Sequence, residues 1–210
     1  FDCLYWQDPE QMLLDDEVDI VYVSTPPGLH FDQGLKILSS GKHFWCEKPI
    51  TTNINDFERL LKISRQANLS INEALMYVHH PHFMKLKELI GNGVLGSLTN
   101  VKCSFTLPKL MDPGYRFNKR LGGSALLDLG IYPLSIITNL FSKNEIKIGS
   151  SVIQKDEKDN TDVNGEVELI VDDSISCILD WSYNKTYKNE ISVHGATGSL
   201  RTEKIFSKDS

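Results

Sequence analysis

Apolar positions in the first third of the chain switch between dense runs and helical spacing. Residues 18–24 read Val-Asp-Ile-Val-Tyr-Val-Ser, a β-branched and aromatic run that ends at Thr25-Pro26-Pro27-Gly28. Such near-continuous hydrophobicity predicts a strand buried on both faces, as in a parallel sheet with helices above and below. Before it, residues 8–16 predict a short helix, with Pro9 in its first turn and Met12, Leu13 and Leu14 as its apolar side. After it, residues 30–40 place Phe31, Leu35 and Leu38 at helical spacing, and Gly41 is the stop. Residues 42–46, Lys-His-Phe-Trp-Cys, form a second predicted strand that runs into Glu47-Lys48-Pro49. Thr52 and Asn53 can cap a helix over residues 54–67, whose apolar side is Phe57, Leu60, Leu61 and Ile63. A third strand over residues 69–72 leads to Glu73. Strand and helix alternating at these intervals is the pattern of a doubly wound sheet.

The rhythm changes near residue 76. A helix over 81–90 closes at Gly91-Asn92-Gly93, and a strand follows over 98–107. A loop holding Pro108 and Pro113 precedes one apolar helix predicted across 124–141. Beyond it the pattern is almost wholly β: strands over 146–154, 163–171, 175–181 and 189–194, and a hairpin at 196–204. The fold class expected is α/β: a truncated Rossmann-type parallel sheet over residues 1–76, then an α+β domain over 77–210 with a mainly antiparallel open sheet.

Composition narrows the functions. The chain has 210 residues, 40% of them hydrophobic and 24% charged, which is enough apolar material for a sizeable core. Its formal net charge of −6, without a lysine- or arginine-rich run, argues against a nucleic acid as partner. Apolar stretches such as 125–129 and 131–134 are interrupted before the about 18 residues that span a bilayer, so no membrane segment is expected. Cys3, Cys46, Cys103 and Cys177 are widely spaced. That pattern predicts reduced thiols in a cytoplasmic protein and no metal site.

Candidate chemistry collects where the predicted parallel strands end, because ligands bind at the carboxyl ends of such strands. Three loops qualify: Ser24-Thr25-Pro26-Pro27-Gly28-Leu29-His30, Glu47-Lys48-Pro49, and Glu73-Ala74-Leu75-Met76-Tyr77. Lys48 beside a carboxylate is placed to be held and to lower a neighbour's pKa; an ordinary surface ion pair is the alternative. His30, at a predicted helix start, reads from the residues alone more readily as a solvated or backbone-bonded residue than as a ligand-binding one. In the second half, Asp128 and Tyr132 stand four apart, so one helix face would carry both. Gly122 and Gly123 before that helix allow close approach of the backbone to a ligand. A buried tyrosine–aspartate bond that only orients the helix is the alternative.

Taken in order, VDIVYVSTPPGLH, GKHFWCEKP, EALMY followed by HP, GYRFNKRLGGSALLDLGIYPL and VHGATGSLR resemble the Gfo/Idh/MocA family of nicotinamide-dependent oxidoreductases, across essentially the whole chain. The resemblance implies NADP or NAD as cofactor and a sugar-like small-molecule substrate. It implies that Ser24, Thr25, Pro26, Leu29 and His30 border the dinucleotide, that Glu47 and Lys48 lie beside the nicotinamide, and that Arg116 approaches it. It further implies that Asp128, Tyr77 and Arg116 bind substrate, and that Lys48 and Tyr132 are catalytic. Tyr132 stands where many members carry histidine, which places the chain in a tyrosine-containing subset. The family's open second-domain sheet implies a homodimer or homotetramer.

The chain also departs from the family pattern. No GxGxxG joins a strand to a helix in the Rossmann-type half, Pro27 replaces a frequent asparagine and Val78 a frequent arginine. The resemblance places the glycine-rich unit before Phe1 and further elements after Ser210, so a fragment is expected. A catalytically idle nucleotide- or sugar-binding relative, acting as sensor or scaffold, is the competing reading.

Overall fold

A computed structural model describes residues 3–206. The chain forms two compact units, Phe1–Leu75 with Arg120–Gly122, and Met76–Lys119 with Gly123–Ser210.

In the first unit, helix α1 (Pro9–Leu13) is capped by the Asp8 carboxylate, which accepts from the Glu10 amide at 2.9 Å. Strand β1 (Ile20–Val23), helix α2 (His30–Ser39), strand β2 (His43–Glu47), helix α3 (Ile54–Ala67) and strand β3 (Ile71–Ala74) follow. The three strands are parallel in the order β1-β2-β3, with Ile20 opposite His43 and Phe44 opposite Ile71. Asn53 caps α3, and Asn68 ends it in the left-handed conformation at φ +54°.

Alternation along the strands sends Val21, Val23, Phe44 and Cys46 inward onto Ile37, Leu38 and Leu60. Helix α2 lies so near β2 that a Cβ on Gly34 would sit 2.7 Å from the Phe44 ring. The opposite face departs from the expected two-sided burial: Ile20 is 56% exposed, Tyr22 48% and Trp45 48%. Among the described residues, the unit's core cluster forms on one side of the sheet only. Period two then decides which half of an apolar run is covered.

The second unit holds α4 (Pro81–Gly91), β4 (Leu98–Thr106), α5 (Ile131–Leu140), β5 (Ile146–Lys155), β6 (Asp162–Val171), β7 (Ile175–Ser182), β8 (Lys188–Gly195) and β9 (Ser199–Glu203). Its six-stranded sheet has the order β5-β6-β7-β4-β8-β9 and is antiparallel throughout except at β4–β7. Val101, Cys177, Leu179, Trp181, Ile191 and Val193 fill the core together with Ile136 and Ile137 of α5. The other sheet face is polar: Ser104 bonds Asp180, and Arg201 pairs with Glu190 at 2.6 Å.

The single helix expected over 124–141 is instead a π-helical turn (Leu126–Gly130) followed by α5. The indole of Trp181 lies between two glycines here. A Cβ on Gly130 would come within 2.8 Å of it and one on Gly165 within 2.5 Å. Contrary to the sequence expectation, the stretch Lys119–Leu140 has the length and apolar content to cross a membrane. It is broken by the π turn, and Ala125, Leu129, Ile136 and Ile137 are buried in the protein core.

Candidate functional site

In the first unit the candidate loops sit at the carboxyl ends of β1 and β2, where parallel sheets present ligand sites. Ser24 and Thr25 line a groove of about 430 Å³, together with Asp8, Tyr22, Gln33 and Lys36 among others. The Thr25 hydroxyl donates to Gln33 Oε1 at 2.6 Å, which ties the loop to α2. Leu29 is exposed and Pro26 half-buried.

His30 is fully buried. Its Nδ1 lies 2.8 Å from the Pro49 carbonyl oxygen and its Nε2 2.7 Å from that of Thr25. Both ring nitrogens lie against backbone carbonyls, so the imidazole fastens the Thr25 loop to the Lys48-Pro49 loop. A neutral ring donates to only one such oxygen, whereas the imidazolium donates to both.

Glu47 closes β2 and accepts from the Tyr22 hydroxyl. That hydrogen bond, followed by desolvation and the charge of Glu47, pushes the Tyr22 phenol up to about 12. Glu73, at the third loop, takes the Ile50 amide at 2.8 Å. Burial raises its carboxyl, opposed by that amide and by the nearby charges of Lys48 and His30. Lys48 is half-buried.

The glycine pair before the π turn serves the chain itself. A Cβ on Gly122 would approach the Gly28 nitrogen to 2.7 Å, and one on Gly123 the Arg116 oxygen to 2.6 Å. Gly122 also has φ +80°. The close approach expected toward a ligand is therefore backbone against backbone.

In the second unit, the π turn is seated by its first amides: Leu126 N–H donates to Asp162 Oδ2 at 2.6 Å and Leu127 N–H to Ser124 Oγ at 3.1 Å. This fixes Asp128, which is buried. Arg116 Nε donates to its Oδ2 at 2.7 Å. Burial works against the Arg116 charge, but the Asp128 carboxylate outweighs it and holds the guanidinium firmly charged. The Tyr183 hydroxyl donates to the same Oδ2 at 2.9 Å. Sequence reasoning missed Tyr183, although its parity with Cys177, Leu179 and Trp181 puts it on the core face, where a phenol needs a partner.

Tyr132 begins α5, half-buried, its ring 5.2 Å from Phe105, 5.3 Å from Phe206 and 6.2 Å from Tyr77. Tyr77, expected to bind substrate, is 2% exposed, its hydroxyl 2.8 Å from Ser135 Oγ. Ser135 Oγ lies 2.9 Å from the Tyr132 carbonyl oxygen, so Tyr77 supports the turn that carries Tyr132. Asp128 and Tyr132 do not share one regular α-helical face, because the π turn widens the first turn. Among the described residues no group of three or more His, Cys, Asp or Glu could hold a metal ion. The four cysteines are free, Cys3 exposed and the other three buried.

Comparison with known proteins bears on this arrangement. The family model described as an oxidoreductase family with an NAD-binding Rossmann fold matches residues 1–74, and the GFO/IDH/MocA C-terminal domain matches 83–201. The dTDP-3,4-didehydro-2,6-dideoxy-alpha-D-glucose 3-reductase of Actinomadura kijaniata is 31% identical over 93% of this chain and 58% of its own length. A trans-1,2-dihydrobenzene-1,2-diol dehydrogenase of Xenopus tropicalis is 26% identical over 91% of this chain and 58% of its own. Among solved structures, a 3-ketoreductase from A. kijaniata in complex with NADP and TDP-benzene superposes with a TM-score of 0.88 at 30% identity, over 94% of this chain and 60% of that one. The chain thus spans about three-fifths of the length of these relatives. It belongs to the GFO/IDH/MocA family of oxidoreductases.

Proposed function

We propose that the protein transfers a hydride between NADP or NAD and a sugar, sugar nucleotide or related cyclic substrate, at a carbon bearing a hydroxyl or carbonyl. The observation that carries this reading is the joint match of both family domains to a chain that keeps Lys48, Asp128 and Tyr132. The 3-ketoreductase has also been solved with a tyrosine replaced by phenylalanine, and with a lysine replaced by glutamate or alanine. Those are the residue types we assign here.

Ser24, Thr25, Pro26, Leu29 and Glu47 would border the cofactor, which when bound supplies or accepts the hydride. Tyr132 gives its phenolic proton to the substrate oxygen in reduction and takes it back in oxidation. A phenol with an ordinary pKa of about 10 needs a cation to act at neutral pH, and Lys48 has that role. Asp128 accepts a substrate hydroxyl, and Arg116 holds it ionised. His30 braces the first loops, and Tyr77 supports Tyr132. We further propose a cytoplasmic enzyme, in keeping with its free thiols, and a homodimer or homotetramer built through the exposed face of the six-stranded sheet.

The test is tryptophan fluorescence of the full-length protein on addition of NADPH and then NADH. Trp45 is about half exposed and directly precedes Cys46-Glu47-Lys48. Saturable quenching is expected, and the tighter nucleotide names the cofactor. No response to either at millimolar concentration supports the idle relative instead.

A further inference from the structure

We propose that Tyr183 is a positioning residue that aims the Asp128 carboxylate and keeps it ionised for a substrate hydroxyl. The inference rests on the reading of Asp128 as a substrate-binding acid. It comes from an arrangement that neither the motifs nor the family matches assign. Tyr183 stands one residue beyond β7, 2% exposed. Its hydroxyl has one proton and two acceptors in reach, Asp128 Oδ2 at 2.9 Å and the Ser124 carbonyl oxygen at 3.2 Å. The nearer and charged acceptor forms the stronger bond. Asp128 Oδ2 also receives Arg116 Nε at 2.7 Å, so a cation and a neutral donor converge on one oxygen.

The donor is itself fixed. The Phe117 ring packs at 5.9 Å from that of Tyr183, inclined by 34°. Burial, then the charge of Asp128, holds the phenol protonated, so it donates throughout the working pH range. The acceptor is fixed through its backbone, because the Asp128 amide bonds the Ser124 carbonyl at 3.0 Å. A carboxylate held this way has lost much of its rotational freedom before any ligand arrives, which lowers the ordering cost of binding. The chemistry suits a polyhydroxylated ring, whose hydroxyls donate to a pre-aimed carboxylate.

The experiment compares Tyr183→Phe, Asp128→Asn and the double variant of the full chain. The readouts are the Asp128 carboxyl titration by carbon NMR and calorimetric binding of dTDP-glucose as probe. Tyr183→Phe removes one hydroxyl and keeps the ring. It is expected to raise the Asp128 midpoint by about one pH unit and to weaken dTDP-glucose roughly tenfold. It should add nothing in the Asp128→Asn background, because a residue acting through another is silent once that other is gone. An unmoved Asp128 titration, or equal weakening with and without the Asp128 carboxylate, overturns the proposal. Unchanged dTDP-glucose binding in Asp128→Asn alone would instead overturn the substrate-binding reading, and the titration still judges Tyr183. If Tyr183→Phe does not fold, the wild-type hydroxyl proton of Tyr183 should appear as a slowly exchanging resonance that is lost in Asp128→Asn. Its absence overturns the proposal equally.

Discussion

The two units hold their candidate residues by different physical means. In the first, the loops are fastened through the main chain: His30 spans the carbonyls of Thr25 and Pro49, and Glu73 takes the Ile50 amide. In the second, side chains hold one another: Arg116 and Tyr183 converge on Asp128, and aromatic rings surround Tyr132. A main-chain clamp sets where a loop runs and leaves its side chains to face a ligand. A side-chain cluster sets the direction and charge of one group. The first kind should fail as lost stability and the second as lost function.

The largest effect that sharpens this contrast is on turnover. Lys48→Ala and Tyr132→Phe should each lower kcat by about 10²- to 10⁴-fold, with Tm nearly unchanged; steady-state kinetics beside a thermal melt decides it. Unchanged turnover in either variant removes that residue from the catalytic assignment. Next comes Phe44→Ala, in the core of the first unit with no exposed area. It should cost about 3–5 kcal/mol in urea unfolding, since the ring packs directly on Gly34 of α2.

His30→Ala removes the ring that ties the Thr25 loop to the Pro49 loop and should cost about 1–3 kcal/mol. It should weaken cofactor binding more than kcat, whereas Asp128→Asn should leave the melt almost in place. If His30→Ala proves stable while Asp128→Asn unfolds, the contrast is reversed.

Smaller effects test burial and local charge. Burial raises the Cys46 and Cys177 thiols to about 12 (for Cys46 with Glu73 and Glu47 adding to it), and Cys103 well above its ordinary value. Thiolate is the reactive form. Alkylation of the native protein near neutral pH should therefore modify the exposed Cys3 alone, read by mass spectrometry.

The Tyr22 phenol is favoured in its protonated form by the folded state. Its bond to Glu47 should be present below the ordinary value of about 10 and be lost as pH climbs through about 12. Glu47→Gln should bring tyrosinate absorbance at Tyr22 back to lower pH.

Much of the architecture was legible along the chain, for local reasons. The runs before Ser24 and Glu47 specify strands because β-branched and aromatic side chains favour a pleated surface, and Asn53 marks the start of α3 because its carboxamide caps it. The motifs around Lys48 and Tyr132 carried the family. What those runs could not state is which face of β1 and β2 is covered. Ile20 and Val21 are equally apolar, and only the packing of α2 and α3 separates them.

The sequence by itself determined the element order, the parallel and mainly antiparallel sheets, the family, and a net charge of −6. These follow from periodicities and motifs a few residues long. Tertiary structure alone decided that His30 clamps two backbone loops, that Tyr77 supports Tyr132, and that glycines 122 and 123 bring the chain against itself. It also decided that the helix across Asp128 opens into a π turn, with Tyr183 placed on its carboxylate. Tyr183 lies 55 residues from Asp128 along the chain. A hydrogen bond depends on ångström distances between residues brought together by packing, and no local pattern encodes those.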